Sequence, residues 1–354
     1  MTKKALITGA SGLIGSQCVE FYIEKGFDVI GIDNDMRSYF FGSEASTLPV
    51  KSSLESKYEN YECHNIDIRD YKSLESVFQN SDISTVIHTA AQPSHDWAAN
   101  EPLTDYSVNA MGTMNLLELY RIHAPDATFI FTSTNKVYGD RPNYLNLVEL
   151  ETRYEYYNAD GELGSISEEM SIDNCKHSLF GASKVSADIM VQEYGKYFGL
   201  NTAVFRGGCL TGPNHKGAEL HGFLSYLIKC IVHDKPYTVF GYKGKQVRDN
   251  IHSWDLVNMF WHYHNNPSPG EVYNAGGGRD NSVSMIEAIE KTKTMIGSNW
   301  DKYTVSDKNR IGDHMWYITD FSKFERHYPK WSIAHSIDNI FDQIVEHELR
   351  VKNG

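Results

Sequence analysis

The residues Gly9-Ala10-Ser11-Gly12-Leu13-Ile14-Gly15 set three glycines at three-residue intervals, directly after the apolar run Ala5-Leu6-Ile7-Thr8. In such a turn the first glycine makes the bend and the second lets a pyrophosphate approach the backbone. The third lets the following helix lie close to the strand, with phosphate at the helix N-terminus. The spacing is one residue longer than the common dinucleotide fingerprint, and alone it reads equally as a flexible turn. Three other segments point the same way. Asp33, with Asn34 beside it, stands about 18 residues beyond Gly15, where a carboxylate accepts hydrogen bonds from the adenosine ribose hydroxyls. A carboxylate there repels a 2′-phosphate, so NAD is favoured over NADP, and Arg37 nearby reads as a solvated surface residue. Asp67-Ile68 suits the adenine amino group and ring face, and His88-Thr89-Ala90-Ala91-Gln92 leaves room for a cofactor through its small residues. The residues expected to meet NAD from this reading are Gly9, Ser11, Gly12, Leu13, Ile14, Gly15, Asp33, Asn34, Asp67, Ile68, Ala90, Ala91 and Gln92.

These residues need a scaffold, and the chain offers a β-α rhythm. Strands are expected at Ala5–Thr8, Asp28–Asp33, Tyr61–Ile68, Thr85–Ala90, Thr128–Ser133 and Thr202–Phe205, each with consecutive apolar residues as in a sheet buried on both faces. Helices are expected between them at Leu13–Lys25, Tyr71–Gln79, Asp105–His123 and Ser183–Phe198. The alternation predicts an α/β fold, a doubly wound parallel sheet of Rossmann type with a smaller C-terminal lobe. After about residue 206 glycines and prolines break the rhythm. Strands at Tyr237–Phe240 and Val272–Ala275, and helices at Gly222–His233, Trp254–His264, Ser284–Met295 and Ile333–Arg350, read as that second lobe. The expected division is residues 1–206 plus about 251–270 for the nucleotide domain, and 207–250 with 271–354 for the substrate lobe.

Composition narrows the classes. With 33 Lys and Arg against 46 Asp and Glu, the formal charge of −13 excludes a nucleic-acid binder working by phosphate neutralisation. No apolar stretch approaches the ~20 residues of a membrane span, and the N-terminus lacks the form of a secretory signal, so a cytoplasmic protein is expected. Cys18, Cys63, Cys175, Cys209 and Cys230 are odd in number and widely spaced, which predicts reduced thiols and neither a disulfide framework nor a zinc site. The histidines, among them His215, His221 and His252, show no metal-ligand spacing, and no metal is expected.

The strand ending Thr132-Ser133-Thr134-Asn135-Lys136-Val137-Tyr138-Gly139 resembles the extended short-chain dehydrogenase/reductase family, in its nucleotide-sugar epimerase branch. The resemblance spans nearly the whole chain, through the glycine turn, Asp67, His88 to Gln92, Asn109 with Gly112-Thr113, the Lys184 region, Arg248-Asp249 and Arg310 to Asp313. It is strongest toward CDP-tyvelose (CDP-paratose) 2-epimerases, in Ser133 to Asp140 and in Gly244-Lys245-Gln246-Val247-Arg248-Asp249. The resemblance implies an NAD-dependent isomerase acting on a nucleotide-diphosphate sugar, with Asn109, Thr132, Lys184 and Arg206 added to the cofactor contacts. It further implies that Thr134, Asn135, Cys209, His221, Arg248, Arg310 and Asp313 meet the substrate, the two arginines at its diphosphate.

One position departs from the family. Where a Tyr-x-x-x-Lys pair carries proton transfer, this chain reads Phe180-Gly181-Ala182-Ser183-Lys184. The catalytic set implied is thus Thr134, Lys184, Phe180 in the tyrosine position, and His177 as a nearby acid/base, with Cys175, Tyr138 and His95 open as alternatives. Family 4,6-dehydratases carry Asp-Glu after the threonine; Asn135-Lys136 here favours epimerisation at one carbon. The reading is therefore C2 epimerisation of a CDP- or UDP-hexose by transient oxidation. A 4-epimerase or dehydrogenase, and a catalytically silent NAD-binding sensor or scaffold, remain alternatives. Asp105–His123 and Ser183–Phe198 match the helices that pair subunits in the family, implying a homodimer or homotetramer.

Overall fold

A computed structural model of the chain describes residues 3–212, 222–308 and 312–353. Seven strands form one sheet: β1 (Lys4–Thr8), β2 (Asp28–Ile32), β3 (Tyr61–His64), β4 (Ile83–His88), β5 (Thr128–Thr134), β6 (Thr202–Gly207) and β7 (Glu271–Ala275), in the order β7-β6-β5-β4-β1-β2-β3. The pairs β1 with β2, β1 with β4, β2 with β3 and β4 with β5 are all parallel. The order reverses at β1, beside β4, so the crevice for a ligand opens at the C-terminal ends of those two strands, where the glycine turn begins.

Eight helices are used below: α1 (Leu13–Glu24), α2 (Met36–Phe41), α3 (Leu48–Lys57), α4 (Tyr71–Gln79), α5 (His95–Asn100), α6 (Pro102–Tyr106), α7 (Gly112–His123) and α8 (Ser178–Phe198). A single helix expected over 105–123 is broken: α6 and α7 are joined by a π-helical turn, Ser107–Met111. The core on one sheet face gathers Leu6, Val86, Phe129, Phe131 and Val204 with Leu116, Leu117, Tyr120 and Val191 of α7 and α8. These consecutive apolar strand residues are what a sheet covered on both faces requires.

The chain divides into two compact units. The first runs to Val137 and adds Leu179–Arg206 and Val257–Tyr273; the second holds Tyr138–Ser178, Gly207–Leu256 and the chain from Asn274. Two segments differ from the sequence reading. Residues 138–178 belong with the second unit, because the hairpin Leu147–Glu149 with Tyr154–Tyr156 is tied there: the Tyr154 N–H donates to the Lys245 carbonyl, and Trp316 Nε1 donates to Glu155. The strand at 271–275, expected in the substrate lobe, is the edge strand of the main sheet. A second core in the second unit packs Leu227, Ile228, Ile231, Ala288, Ile289, Ile340, Phe341 and Ile344. None of the five cysteines forms a disulfide among the described residues, and no helix among the described residues is long and apolar enough to cross a membrane.

Candidate active site

The glycine turn is held by sterics. Gly9 has φ +67°, and a Cβ there would stand 2.8 Å from the Ala90 nitrogen; a Cβ on Gly15 would stand 1.9 Å from the Gly9 carbonyl oxygen. Gly12, the N-cap of α1, has only that carbonyl within 4 Å of a Cβ, at 3.3 Å, so the turn is open on the side where a phosphate approaches the helix N-terminus. Asp33 follows β2 and ties its loop back to the turn: Ser11 N–H donates to Oδ2 and Asp35 N–H to Oδ1, both at 2.9 Å. Asp35 takes φ +54° and receives the Thr47 N–H at 2.7 Å. Ser11, Asp33, Asn34, Ser38, Thr47 and Lys51 thereby line a cavity of about 310 Å³ beside the turn. Asn34 Nδ2 donates to Asp67 Oδ2 at 3.1 Å, and Arg69 forks onto the same carboxylate. Ile68 is buried, packed where a side chain on Gly112 would stand.

Beyond β4 a buried polar network takes over. Gln92 N–H donates to Asn109 Oδ1, and Asn109 Nδ2 donates to the Gln92 carbonyl, to Asp105 and to Ser183 Oγ, all within 3.1 Å. Gln92 Nε2 donates in turn to the Ser94 carbonyl and Asp105, each at 2.8 Å. Burial raises the Asp105 carboxyl against the pull of its hydrogen bonds and of Lys184. Asn109 lies in the π-helical turn, whose extra residue per turn aims its amide at the loop after β4. Sequence reasoning named Gln92 and Asn109 but missed Asp105 and Ser183. It also missed the residues of α2 and α3 that line the cavity; the cluster Asp33-Asn34-Asp35 was the available signal.

Lys184 is 3% exposed, its Nζ donating to the Thr132 carbonyl at 2.8 Å and lying 4.1 Å over the Phe131 ring. Burial brings its pKa down to about 7, opposed by the charges of Asp188 and Asp105. Thr134 Oγ1 accepts the Lys136 N–H at 3.2 Å and faces Asn135 Oδ1 at 3.5 Å. Phe180 is 6% exposed, and the His95 ring meets it edge-on at 5.0 Å. Arg206, placed at the cofactor from sequence, is buried and forks onto Asp188, which also receives the Ser133 hydroxyl; it ties β6 to α8.

In the second unit, His177 Nε2 lies 3.6 Å from Cys175 Sγ, and that thiol also faces the carbonyls of Tyr138 and Ile172. Tyr138 is buried, donating to Asn274 Oδ1 at 2.7 Å. Arg248 pairs with Asp313 at 2.6 Å and donates to the His314 and Val247 carbonyls. Cys209 sits in a short strand opposite Asn250. His221 and Arg310 lie outside the described residues. The ligand atoms of His252, Asp255 and His335 all fall within 4.8 Å of one another. They already have partners: Asp255 accepts from the Ala334 and His335 N–H groups and from His335 Nδ1, and His252 bonds Trp254 N–H and Gln343.

The site residues fit NAD on two observations: the phosphate side of the glycine turn is open at Gly12, and the buried hydroxyls of Ser11 and Thr132 have no hydrogen-bond partner among the described residues. The chain is 30% identical to a CDP-paratose 2-epimerase of Salmonella typhi over 96% of its own length and 98% of that protein. It is 29% identical to human UDP-glucose 4-epimerase over 82% of each. A tyrosine-to-phenylalanine variant of UDP-glucuronic acid 4-epimerase from Bacillus cereus, solved with NAD and a fluorinated UDP-sugar, superposes with TM-score 0.79, 24% identity and 98% coverage of this chain and 99% of that one. The dTDP-glucose 4,6-dehydratase of Bacillus anthracis, solved with NAD, gives TM-score 0.78 at 22% identity over 99% and 97%. With its residues 5–276 matching the family model, this chain belongs to the NAD dependent epimerase/dehydratase family.

Proposed function

We propose that the protein epimerises a nucleotide sugar at C2 of a CDP- or UDP-hexose, by transient oxidation and re-reduction at one carbon. The observation that carries the reading is the near end-to-end likeness to the CDP-paratose 2-epimerase. Asn135 and Lys136 support it, since neither supplies the carboxylate pair that dehydration would use. Bound NAD supplies the acceptor that takes the carbinol hydride and returns it. The Asp33 carboxylate, anchored to the glycine turn, receives ribose hydroxyls and disfavours a 2′-phosphate. Lys184 directs its Nζ from the Thr132 carbonyl toward the second ribose, and Thr134 Oγ1 hydrogen-bonds the reacting sugar hydroxyl. The diphosphate falls to Arg248 and Arg310, and the working assembly is a homodimer.

The enzyme as purified is incubated with CDP-paratose, CDP-glucose and UDP-glucose, the products are read by proton NMR, and bound dinucleotide is measured after denaturation. Inversion at C2 of a CDP-sugar with NAD retained is the expected result. Conversion of UDP-glucose to UDP-galactose would move the assignment to C4. A second reading is favoured by one observation, the buried phenyl ring at position 180, which carries no ionisable proton. Retained NAD without conversion of any of the three sugars would make the protein a nucleotide-responsive sensor or scaffold.

A further inference from the structure

We infer that His95 is the catalytic acid/base of this enzyme, standing in for the hydroxyl that Phe180 lacks; the inference rests on the epimerase reading above. Four side chains are open to the role from sequence: His177, Cys175, Tyr138 and His95. Three of them are engaged elsewhere. Tyr138 is fully buried with its hydroxyl on Asn274. Cys175 and His177 face each other, and burial pushes the thiol above its ordinary pKa. His95 meets the ring at position 180 in a T-shaped contact, with centroids 5.0 Å apart and planes at 75°. An imidazole therefore stands within one side chain's reach of the place where a tyrosine hydroxyl would end, and it is half-buried.

That placement is built. Ser94, the residue before it, caps α5 by accepting the Trp97 N–H, and the backbone of Ser94 is held on both its N–H and its carbonyl by the Gln92 amide. Asn109 grips Gln92 and reaches Ser183 Oγ, which donates to the Phe180 carbonyl at 2.9 Å. One buried network thus fixes both partners of the ring contact, the loop bearing His95 and the turn of α8 bearing Phe180. On the far side Trp97 packs on Phe40 at 4.6 Å, which pins α5. A side chain held this way has the fixed geometry that proton transfer needs.

In the step assigned to it, a neutral imidazole nitrogen of His95 takes the proton of the sugar hydroxyl as the carbinol carbon loses its hydride to the nicotinamide and becomes a ketone. On return of hydride to the opposite face, the imidazolium gives the proton back to the alkoxide oxygen. Protons and electrons balance over the two halves, and an imidazole titrates in the range where both directions are accessible.

The test uses the NAD-loaded enzyme with CDP-paratose as probe. His95→Gln is expected to lower kcat about 10²–10⁴-fold with bound NAD unchanged, and to abolish the fall in rate on the acid side of the pH profile. Phe180→Tyr placed in the His95→Gln background is expected to restore at least about ten-fold. A His95→Gln enzyme as fast as wild type, or a His177→Gln enzyme that alone loses activity, overturns the assignment while leaving the epimerase reading intact. If wild type converts no CDP-paratose, that substrate falls, and a second measurement still decides His95. Its imidazole NMR signal, identified by its loss in His95→Gln, is titrated with bound NAD and again after borohydride reduction. A rise of about one pH unit on loss of the cofactor's positive charge is expected, and an unchanged titration overturns the proposal.

Discussion

Lys184 shows most directly how a site residue's environment sets its chemistry. A lysine is ordinarily cationic at pH 7, but this one is enclosed under β5, where the Thr132 carbonyl accepts a hydrogen bond from its Nζ and the Phe131 ring covers it. Burial lowers its pKa from 10.5 to about 7. Between about pH 7 and pH 10 the unfolded chain therefore holds a proton that the folded chain has released, so stability rises with pH across that window. Denaturant titrations of the NAD-free protein are expected to show a slope of up to about 1.4 kcal/mol per pH unit, and Lys184→Met is expected to flatten it. Lys184 was named from sequence because it keeps the family spacing from position 180, and the structure buries it against the end of β5. Arg206 shows the limit: nothing at position 188 announces that Asp188 of α8 will take both arms of its guanidinium. The network around Gln92 was half legible for the same reason, since Asp105 and Ser183 meet only once α6 and α8 have folded against one loop.

At the scale of elements, the strands were legible because β1, β4, β5 and β6 each carry two or three consecutive apolar residues, which a sheet covered on both faces demands. The short helices α2, α3 and α5 were not. α2 and α5 have six residues each, α3 has no clear apolar stripe, and they are set by Asp35, by the Ser94 cap and by aromatic packing. The strand at Glu271–Ala275 was assigned to the substrate lobe, whereas it pairs with β6 in the main sheet and the two units divide within it, between Tyr273 and Asn274; that pairing is a long-range choice that local pattern does not express. The turn between β1 and α1 gives the element-scale prediction. Gly15→Ala would set a methyl 1.9 Å from the Gly9 carbonyl, which only displacement of α1 from the strand can relieve. That variant is expected to lose NAD binding by at least about 100-fold in equilibrium titration, and several degrees of melting temperature. Gly12→Ala meets the same carbonyl at 3.3 Å and is expected to keep the melting temperature within about 2 °C. Its methyl narrows the phosphate approach, so its NAD affinity should still fall about ten-fold.

At the scale of the molecule, an acidic chain of charge −13 that binds an anionic dinucleotide cannot rely on its net field, and the attraction proposed for it is local, at the α1 N-terminus and Lys184. The apolar surface is local too. Leu103 and Tyr197 are 88% and 80% exposed, and Tyr106, Met111, Ile122, Ile189 and Phe198 share the same two-helix surface in half-exposed positions. Tyr106 of α6 meets Ser186 of α8, and Arg121 of α7 lies over the Phe198 ring at the end of α8, so α8 runs beside α6 and α7 between these contacts. A face this apolar on a chain otherwise rich in charge is costly to leave in water, and in the proposed homodimer a second copy of the same face would cover it by two-fold symmetry. Light scattering is expected to give a mass near 80 kDa, about twice the 40.2 kDa chain. Met111→Asp combined with Ile189→Asp is expected to give a monomer, since the π-helical turn before α7 and α8 itself would each bring a carboxylate of the same sign to that apolar surface. NAD content should survive in that monomer, because the glycine turn, Asp33 and Lys184 all come from one chain. A monomeric wild type at micromolar concentration, or a double variant that stays dimeric, would assign the apolar face to something other than self-association.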